Sequence, residues 1–481
     1  MTTPCRPDTP PCLQMSQAEP AALSPLGLGL LVTGQLLTQL DFSIVNVALD
    51  RIGTSLATNA TGLVLVVACY GVSFATLLGA GGRLGDRYGR KRLFLIGAGG
   101  FCLASMLCAV ADSLLPMLAG RLLQGLFGAL LMPQILATIH ATLHGPRHSR
   151  AVGVYTAIAG LSVVIGQVLG GWLVSADLFE LGWRLGFFVN LPVCVLVVGL
   201  GIFFIPETRG SGAPSTDAAG MVLFALLLLC LLVPVSLGAN WPALRWLALG
   251  LPPAGIALLR VEARREAAGG RPLLPPSLFR APVVATGFLA EASVTFCYAG
   301  YLFVTALCLQ SEVGFSPLRS GDGFCGLGVA FFLGSLVSKQ LGEHLGNHRT
   351  FALGTGLTAA GILATLWGVR ALGLSLGVVH VVAASALVGL GNSLMLTSAY
   401  RIALAHVPQR HAGEASVALT TVQQGCFALG TAFAGAVYAG LLPSGYAWAY
   451  AGSAFSLCAL LAIIAGVVVH SRARGNAGRR P

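Results

Sequence analysis

The sequence predicts an all-α polytopic membrane protein made of two six-helix halves plus two extra helices, fourteen spans in all. Three observations predict it. Of 481 residues, 56% are hydrophobic and 9% charged, where a soluble chain carries about a quarter charged residues. The apolar residues fall in runs close to the ~20 residues that a spanning helix needs. A short motif also recurs: Leu84-Gly85-Asp86-x-x-Gly89 matches Leu341-Gly342-Glu343-x-x-Gly346, 257 residues later, each time between two apolar runs. Duplication of this kind is how many transporters are built.

In chain order, residues 1–25 are rich in Pro, Thr and Ser and lack the basic start, apolar core and cleavage site of a signal peptide. They are expected to be a disordered cytoplasmic tail. The first half, 26–205, has spans at about 26–47, 61–81, 93–111, 114–138, 151–174 and 185–205. Two extra spans, at about 218–238 and 244–260, lie in the segment 206–282 together with an inner linker. The second half, 283–470, has spans at about 283–308, 321–339, 350–369, 376–400, 413–438 and 447–469. A basic cytoplasmic tail, 471–481, closes the chain.

The basic residues agree with that order. With the N-terminus inside, 22 of the 28 lysines and arginines fall on the inner side, five on the outer side, and Arg121 within a span. This is the asymmetry that the positive-inside rule demands. It also accounts for the net charge of +11 without nucleic acid, since the inner charge meets anionic lipid. Twelve cysteines are present with no Cys-x-x-Cys pair, so neither a zinc site nor a disulfide framework is indicated. Neither Lys91 nor Lys339 follows a glycine, which removes the phosphate-binding loop of ATP hydrolysis. No His-Glu-x-x-His occurs. The sequence therefore points away from an enzyme, a metal site and a cofactor.

Charge inside the spans is the positive signal. A charged group at mid-bilayer costs about 2.5–3.5 kcal/mol on insertion scales, so it needs a partner or a task. Asp41 and Arg121 each fall roughly 10 Å from the outer face at the helical rise per residue, and at similar depth they are expected to pair. Gln35, Thr38, Gln39 and Asn46 cluster on adjoining helix faces with Asp41, and Gln124 is one turn from Arg121. That polar band suits a cavity for substrate, with Gln423 and Gln424 lining it from the other half. The pair reads either as a coupling site for protons or as an ion pair that only fixes helix packing. Glu291 has nothing nearby in sequence to neutralise it, and desolvation favours the neutral form of a carboxyl group. It suits a proton carrier or a site for a cationic substrate, and equally a neutral acid hydrogen-bonded to a neighbouring helix. The basic stretch Gly82-Arg83-Leu84-Gly85-Asp86-Arg87-Tyr88-Gly89-Arg90-Lys91 reads as a gating loop, with Gly85 and Gly89 allowing a tight turn and Asp86 capping a helix or pairing with an arginine.

With these residues in view, the chain resembles the major facilitator superfamily, and within it the drug:proton antiporters with fourteen spans, from about Leu26 to His470. Gly82 to Lys91 is similar to the family's inner-loop motif, Leu40 to Leu49 to its first-helix motif, and Arg121-Leu122-Leu123-Gln124-Gly125 to its fourth-helix motif. Gly166-Gln167-Val168-Leu169-Gly170-Gly171 resembles the fifth-helix antiporter motif, and Trp183-Arg184 with Phe188 to Pro192 resembles the start of the sixth helix. The resemblance implies the major facilitator fold, two halves rocking around a central site, and export of amphipathic compounds driven by proton entry. It also implies coupling through Asp41 and Arg121, gating by the inner loop, and fifth-helix glycines shaping the interface of the halves. Two positions depart: Gln167 and Asp50 stand where the motifs have proline. Gln167 cannot kink a helix as proline does, and Asp50 is expected to alter only a loop.

The function expected is proton-coupled efflux of amphipathic drugs or secondary metabolites such as antibiotics across a bacterial plasma membrane. Both termini are expected in the cytoplasm. The partners expected are protons, lipid and a small amphipathic substrate, in one reading cationic, with the chain a monomer. Replacing Asp41 by Asn is expected to abolish transport without disturbing the fold. An importer or uniporter of the same fold is one alternative, and a non-transporting sensor or scaffold another.

Overall fold

The computed structural model describes residues 23–210, 218–237, 241–270, 272–273, 275–405, 407 and 412–477. Most of the N-terminal tail and residues 478–481 lie outside these. Fourteen main helices follow one another: α1 (Pro25–Ser55), α2 (Ala60–Tyr88), α3 (Arg90–Ala109), α4 (Leu114–Thr142), α5 (Gly145–Ala176), α6 (Asn190–Phe204), α7 (Ala218–Leu237), α8 (Leu251–Ala267), α9 (Pro282–Ser311), α10 (Cys325–Leu345), α11 (Asn347–Leu372), α12 (Val378–Leu404), α13 (Ala412–Leu441) and α14 (Tyr446–Ala477). Short helical turns precede α6, a 3₁₀ stretch Pro242–Gly250 leads into α8, and a helix Pro317–Gly323 leads into α10. There is no strand among the described residues. Thirteen segments among them are long and apolar enough to cross a membrane. The difference from the fourteen expected is α5, a 32-residue helix whose described apolar stretch is Ile165–Ala176.

Local chemistry fixes the helix starts. Ser24 Oγ accepts from Gly27 N at 3.0 Å and Asn59 Oδ1 from Gly62 N at 3.1 Å, which satisfies amide groups that a helix start leaves unpaired. Several helices run past their expected ends. α1 continues through Asp50 to Ser55, so Asp50 lies in a helix rather than a loop. α14 continues into the segment expected as a tail, to Ala477.

The first half packs α2 on α4, α3 on α4 and α6, and α1 on α5; the second packs α9 on α13 and α14, and α12 on α10 and α11. Between the halves, α2 meets α13, and α5 meets Pro317–Gly323 and α10. α7 lies over the α2–α13 seam, with its buried Phe224 and Leu228 against Gly425; α8 packs on α7. The extra helices thus sit outside the bundle and cover one of its two seams.

Call the end that carries the start of α1 the terminal end, and the other the far end. From mid-depth to the far end the halves are tied together. Phe42 of α1 meets Phe427 of α13 edge-on with ring centroids 4.3 Å apart. Ser311 Oγ donates to Asp50 Oδ1 at 2.8 Å, and Leu318 N donates to Ser175 Oγ at 3.0 Å. A Cβ added at Gly71 would stand 2.9 Å from Ala428 Cβ, and one at Gly171 2.8 Å from Pro317 O. Small residues allow this close approach of helix backbones.

Candidate functional site

The centre of the first half holds a closed polar network. Arg121 Nη1 meets Asp41 Oδ2 at 2.5 Å and donates to Gln124 Oε1 at 2.8 Å. Gln124 Nε2 donates to Asp41 Oδ1 at 2.9 Å and to Ser105 Oγ at 2.8 Å. Asn190 Nδ2 donates to Asp41 Oδ1 at 3.0 Å. Arg121 Nε donates to Val66 O at 3.0 Å, and its guanidinium lies over the Tyr70 ring, 4.5 Å from the centroid, a cation–π contact. Five helices, α1, α2, α3, α4 and α6, therefore converge on one ion pair. Both of its side chains are 0% exposed.

The structure brings Asp41, Arg121 and Gln124 together in space. The sequence did not single out Asn190, Ser105 or Tyr70, whose signal is a polar group inside an apolar run. The expected polar band does not line an open space here: Gln35, Thr38, Asn46 and Gln124 are buried. Asn46 Nδ2 bonds its own helix at Phe42 O, 2.9 Å, and Gln35 Oε1 has no partner. Of that band Gln39 alone is half-buried, as are Gln423 and Gln424 on α13. A recess of about 290 Å³ at the terminal end is walled by Gly29, Thr33 and Leu36 of α1 and Val154 and Ile158 of α5, and none of the expected cavity residues is in its wall. An Asp41→Asn change would leave the buried charge of Arg121 with no counter-charge.

Glu291 lies on α9, fully buried. Thr295 Oγ1 donates to its Oε1 at 3.2 Å, its Oε2 has no hydrogen-bond partner, and Gln423 is its polar neighbour on α13. Tyr400 of α12 and Cys426 of α13 face it. His380 of α12 is exposed.

The gating segment is not a loop. Gly82 to Tyr88 continues α2, and the reversal is made by Gly89 alone, at φ +112°, where a side chain is strained. Gly346 does the same in the second half at φ +83°. Gly85 lets α2 approach α4, since a Cβ there would stand 1.9 Å from Gln134 Oε1. Asp86 Oδ1 accepts from Arg90 Nη2 at 2.8 Å while Arg90 Nη1 donates to Ala137 O at 3.0 Å, so Asp86 pairs with an arginine and caps no helix. Lys91 N donates to Glu207 Oε1 at 3.1 Å, and Gly210 N to Asp86 O at 3.1 Å. Leu84 is half-buried and Arg87 exposed. These bonds tie α2, α3, α4 and the chain after α6 within one half. Arg83 reaches beyond it, donating to Pro272 O of the linker at 2.9 Å.

The fifth-helix motif divides between two neighbours. A Cβ at Gly166 would stand 2.5 Å from Ser43 Cβ and one at Gly170 2.9 Å from Ile44 Cα, both on α1. Gly171 and Gln167 meet the other half, with Gln167 O 2.4 Å from a Cβ placed on Gly321. α5 runs unbroken through Gln167, as a residue with a backbone N–H allows. Both polar atoms of its buried amide lack a partner.

The model of the Major Facilitator Superfamily matches residues 31–431. The chain belongs to this superfamily. This member is 37% identical over 87% of its length, and 73% of the relative's, to a probable actinorhodin transporter of Streptomyces coelicolor. It is 32% identical to a puromycin resistance protein of Streptomyces alboniger over 86% of its length and 82% of the relative's. It is 30% identical to the multidrug resistance protein Stp of Mycobacterium tuberculosis over 89% of its length and 77% of the relative's. The same fold is found in a POT family transporter crystallised with a thioalcohol-conjugated peptide (TM-score 0.68, 13% identity, 93% of this chain and 96% of that one). It also occurs in a bacterial homologue of the human lysosomal transporter Spinster (TM-score 0.62, 16% identity, 92% and 95%). The fold and the motifs agree: this facilitator is a multi-pass membrane protein.

Proposed function

We propose that this facilitator exports small amphipathic molecules, drugs or antibiotic-like secondary metabolites, across a bacterial plasma membrane by alternating access in exchange for protons. The observation that carries the reading is the similarity, over more than four-fifths of the chain, to an antibiotic transporter and to resistance proteins. Membership of a transporter family speaks for transport rather than catalysis. Proton exchange is supported by the presence of carboxyl groups buried in spans, Glu291 among them, where ionisable residues are expensive and mark ion pathways. In this reading the chain works as a monomer with both termini in the cytoplasm, the far end faces outward, and the ties at that end make this an inward-facing arrangement. Gln39, Gln423 and Gln424, half-buried in their helices, are the groups we assign to substrate as the halves rock. One proton crossing about 100 mV yields about 2.3 kcal/mol, enough for a gradient of roughly forty-fold at 1.4 kcal/mol per tenfold.

The test uses purified protein in proteoliposomes with an imposed proton gradient and a cationic amphipathic dye. Dye movement against the proton flow is expected. Dye movement that ignores the gradient would indicate a uniporter, movement with the protons an importer, and no movement across a panel of amphiphiles a sensor or scaffold.

A further inference from the structure

We propose that Glu291 carries the exchanged proton, and that Asp41 is a fixed counter-charge for Arg121 which holds the first half together. This rests on the antiport reading above and assigns separate tasks to its two carboxyl groups. The surroundings of Asp41 are all donors. Arg121 Nη1, Gln124 Nε2 and Asn190 Nδ2 point at its two oxygens, and Gln124 Oε1 is already turned to Arg121. A proton on Asp41 would meet three N–H groups as these side chains stand, and the one unpaired oxygen among them, Asn190 Oδ1, belongs to an amide whose Nδ2 already donates to Asp41. That proton would also leave Arg121 as a lone cation where burial makes an unpaired charge most costly. Asp41 is therefore read as the fixed partner of Arg121.

Glu291 is the opposite case. Thr295 donates to its Oε1, the amide of Gln423 is its other polar neighbour, and Oε2 has no partner within hydrogen-bond distance. Among the described residues no basic side chain forms an ion pair with it. The titratable groups that face it are Tyr400 from α12 and Cys426 from α13, both uncharged when protonated. α1, α14 and Pro317–Gly323, also packed on α9, bring it no cation among the described residues. A carboxylate here would be a bare charge in oil, whereas the neutral acid is an ordinary buried hydrogen-bonding group. The side chain of Gln423, next to it and half-buried, carries both an N–H donor and an amide oxygen, so it can face either protonation state of Glu291. Release breaks the O–H bond of Glu291, gives the proton to water, and leaves a carboxylate whose charge is then met by water or by a cationic group of the substrate.

Position supports the division. In the 257-residue register of the duplication, Asp41 corresponds to Tyr298 and Glu291 to Gly34, so the two acids are not copies of one site. Glu291 lies on α9, which packs on α13, and α13 forms the seam with α2. Asp41 is sealed inside one half.

The test is infrared difference spectroscopy on the purified protein, adding the amphipathic dye to look for loss of the protonated carboxyl C=O band, with proton release read in the same sample by a pH indicator. Wild type should lose the band and release protons. Glu291→Gln, which keeps the shape of the neutral acid, should do neither, and in proteoliposomes its dye exchange should no longer respond to an imposed pH gradient. Asp41→Asn with Arg121→Gln removes both charges of the pair together, avoids the bare cation of the single variant, and should keep the band and the proton release. A band that persists in Glu291→Gln and vanishes in the double variant would overturn the assignment while leaving antiport standing. A wild type that moves dye without proton release would overturn antiport itself, and this assignment with it.

Discussion

Removing either charge of the Asp41–Arg121 pair leaves the other uncompensated in a dry interior, so single substitutions there should act on stability before they act on transport. Loss of one partner of a buried ion pair costs about 3–5 kcal/mol. Arg121→Met is expected to lower the unfolding temperature of the detergent-purified protein sharply. Arg121→Lys should recover only part of the loss, because an ammonium cannot reach Val66 O, Gln124 and Asp41 together as the guanidinium fork does. The double change Asp41→Asn with Arg121→Met should lie closer to wild type than either single change. A single Asp41→Asn variant as stable as wild type would refute the fixed-pair description. At this scale the sequence was informative where charge made it so. Asp41 and Arg121 stand out because a charge in an apolar run is expensive, and their depth followed from the helical rise. Asn190, Ser105 and Tyr70 did not, because a neutral polar residue in a span carries little penalty and its partner depends on which helices become neighbours.

Helices pack here through glycines whose neighbours differ in how far they can give way. A Cβ at Gly430 of α13 would stand 1.9 Å from Phe296 O, a backbone atom of α9. One at Gly85 of α2 would stand 1.9 Å from Gln134 Oε1, the tip of a side chain. The first clash needs two helices to separate; the second needs an amide to rotate. Gly430→Ala is therefore expected to destabilise by about 1–3 kcal/mol, the usual range for overpacking, and Gly85→Ala by less. Thermal unfolding of the two variants side by side decides it, and equal losses would mean that the amide of Gln134 is as immobile as backbone. Its Nε2 donates to Gly81 O and Leu130 O, at 2.8 and 2.9 Å, which sets the size of the smaller loss. The element order was readable from apolar runs, since span length is fixed by the bilayer. Helix ends were not. Charged residues such as Arg83, Asp86 and Arg87 read as a loop, yet at the terminal end of a helix Asp86 pairs with Arg90, Arg83 bonds Pro272 O and Arg87 reaches the surface, and only Gly89 breaks the helix.

For the whole molecule, alternating access requires that the halves part at the far end once in every cycle. The contacts that must break there are on different helices and in different halves: Asp50 of α1 with Ser311 of α9, and Ser175 of α5 with Leu318 before α10. The first is not legible in the sequence, because 261 residues separate its partners and the departure at Asp50 reads as a change in a loop. The duplication predicted two halves, but not which faces meet, since that depends on small residues opposite one another across the seam rather than on any repeat. The Asp50–Ser311 contact allows a direct test. Cysteines placed there as Asp50→Cys and Ser311→Cys, with accessible native cysteines replaced, stand close enough for a short thiol-specific, reducible cross-linker. Cross-linking should hold the far end shut, stop dye transport in proteoliposomes, and leave dye binding from the terminal side in place; reduction should restore transport. Ser311→Cys alone, treated in the same way, should transport normally. Continued transport by the cross-linked protein would mean that the halves do not separate at this end, and rocking about a central site would then have to be abandoned for this chain.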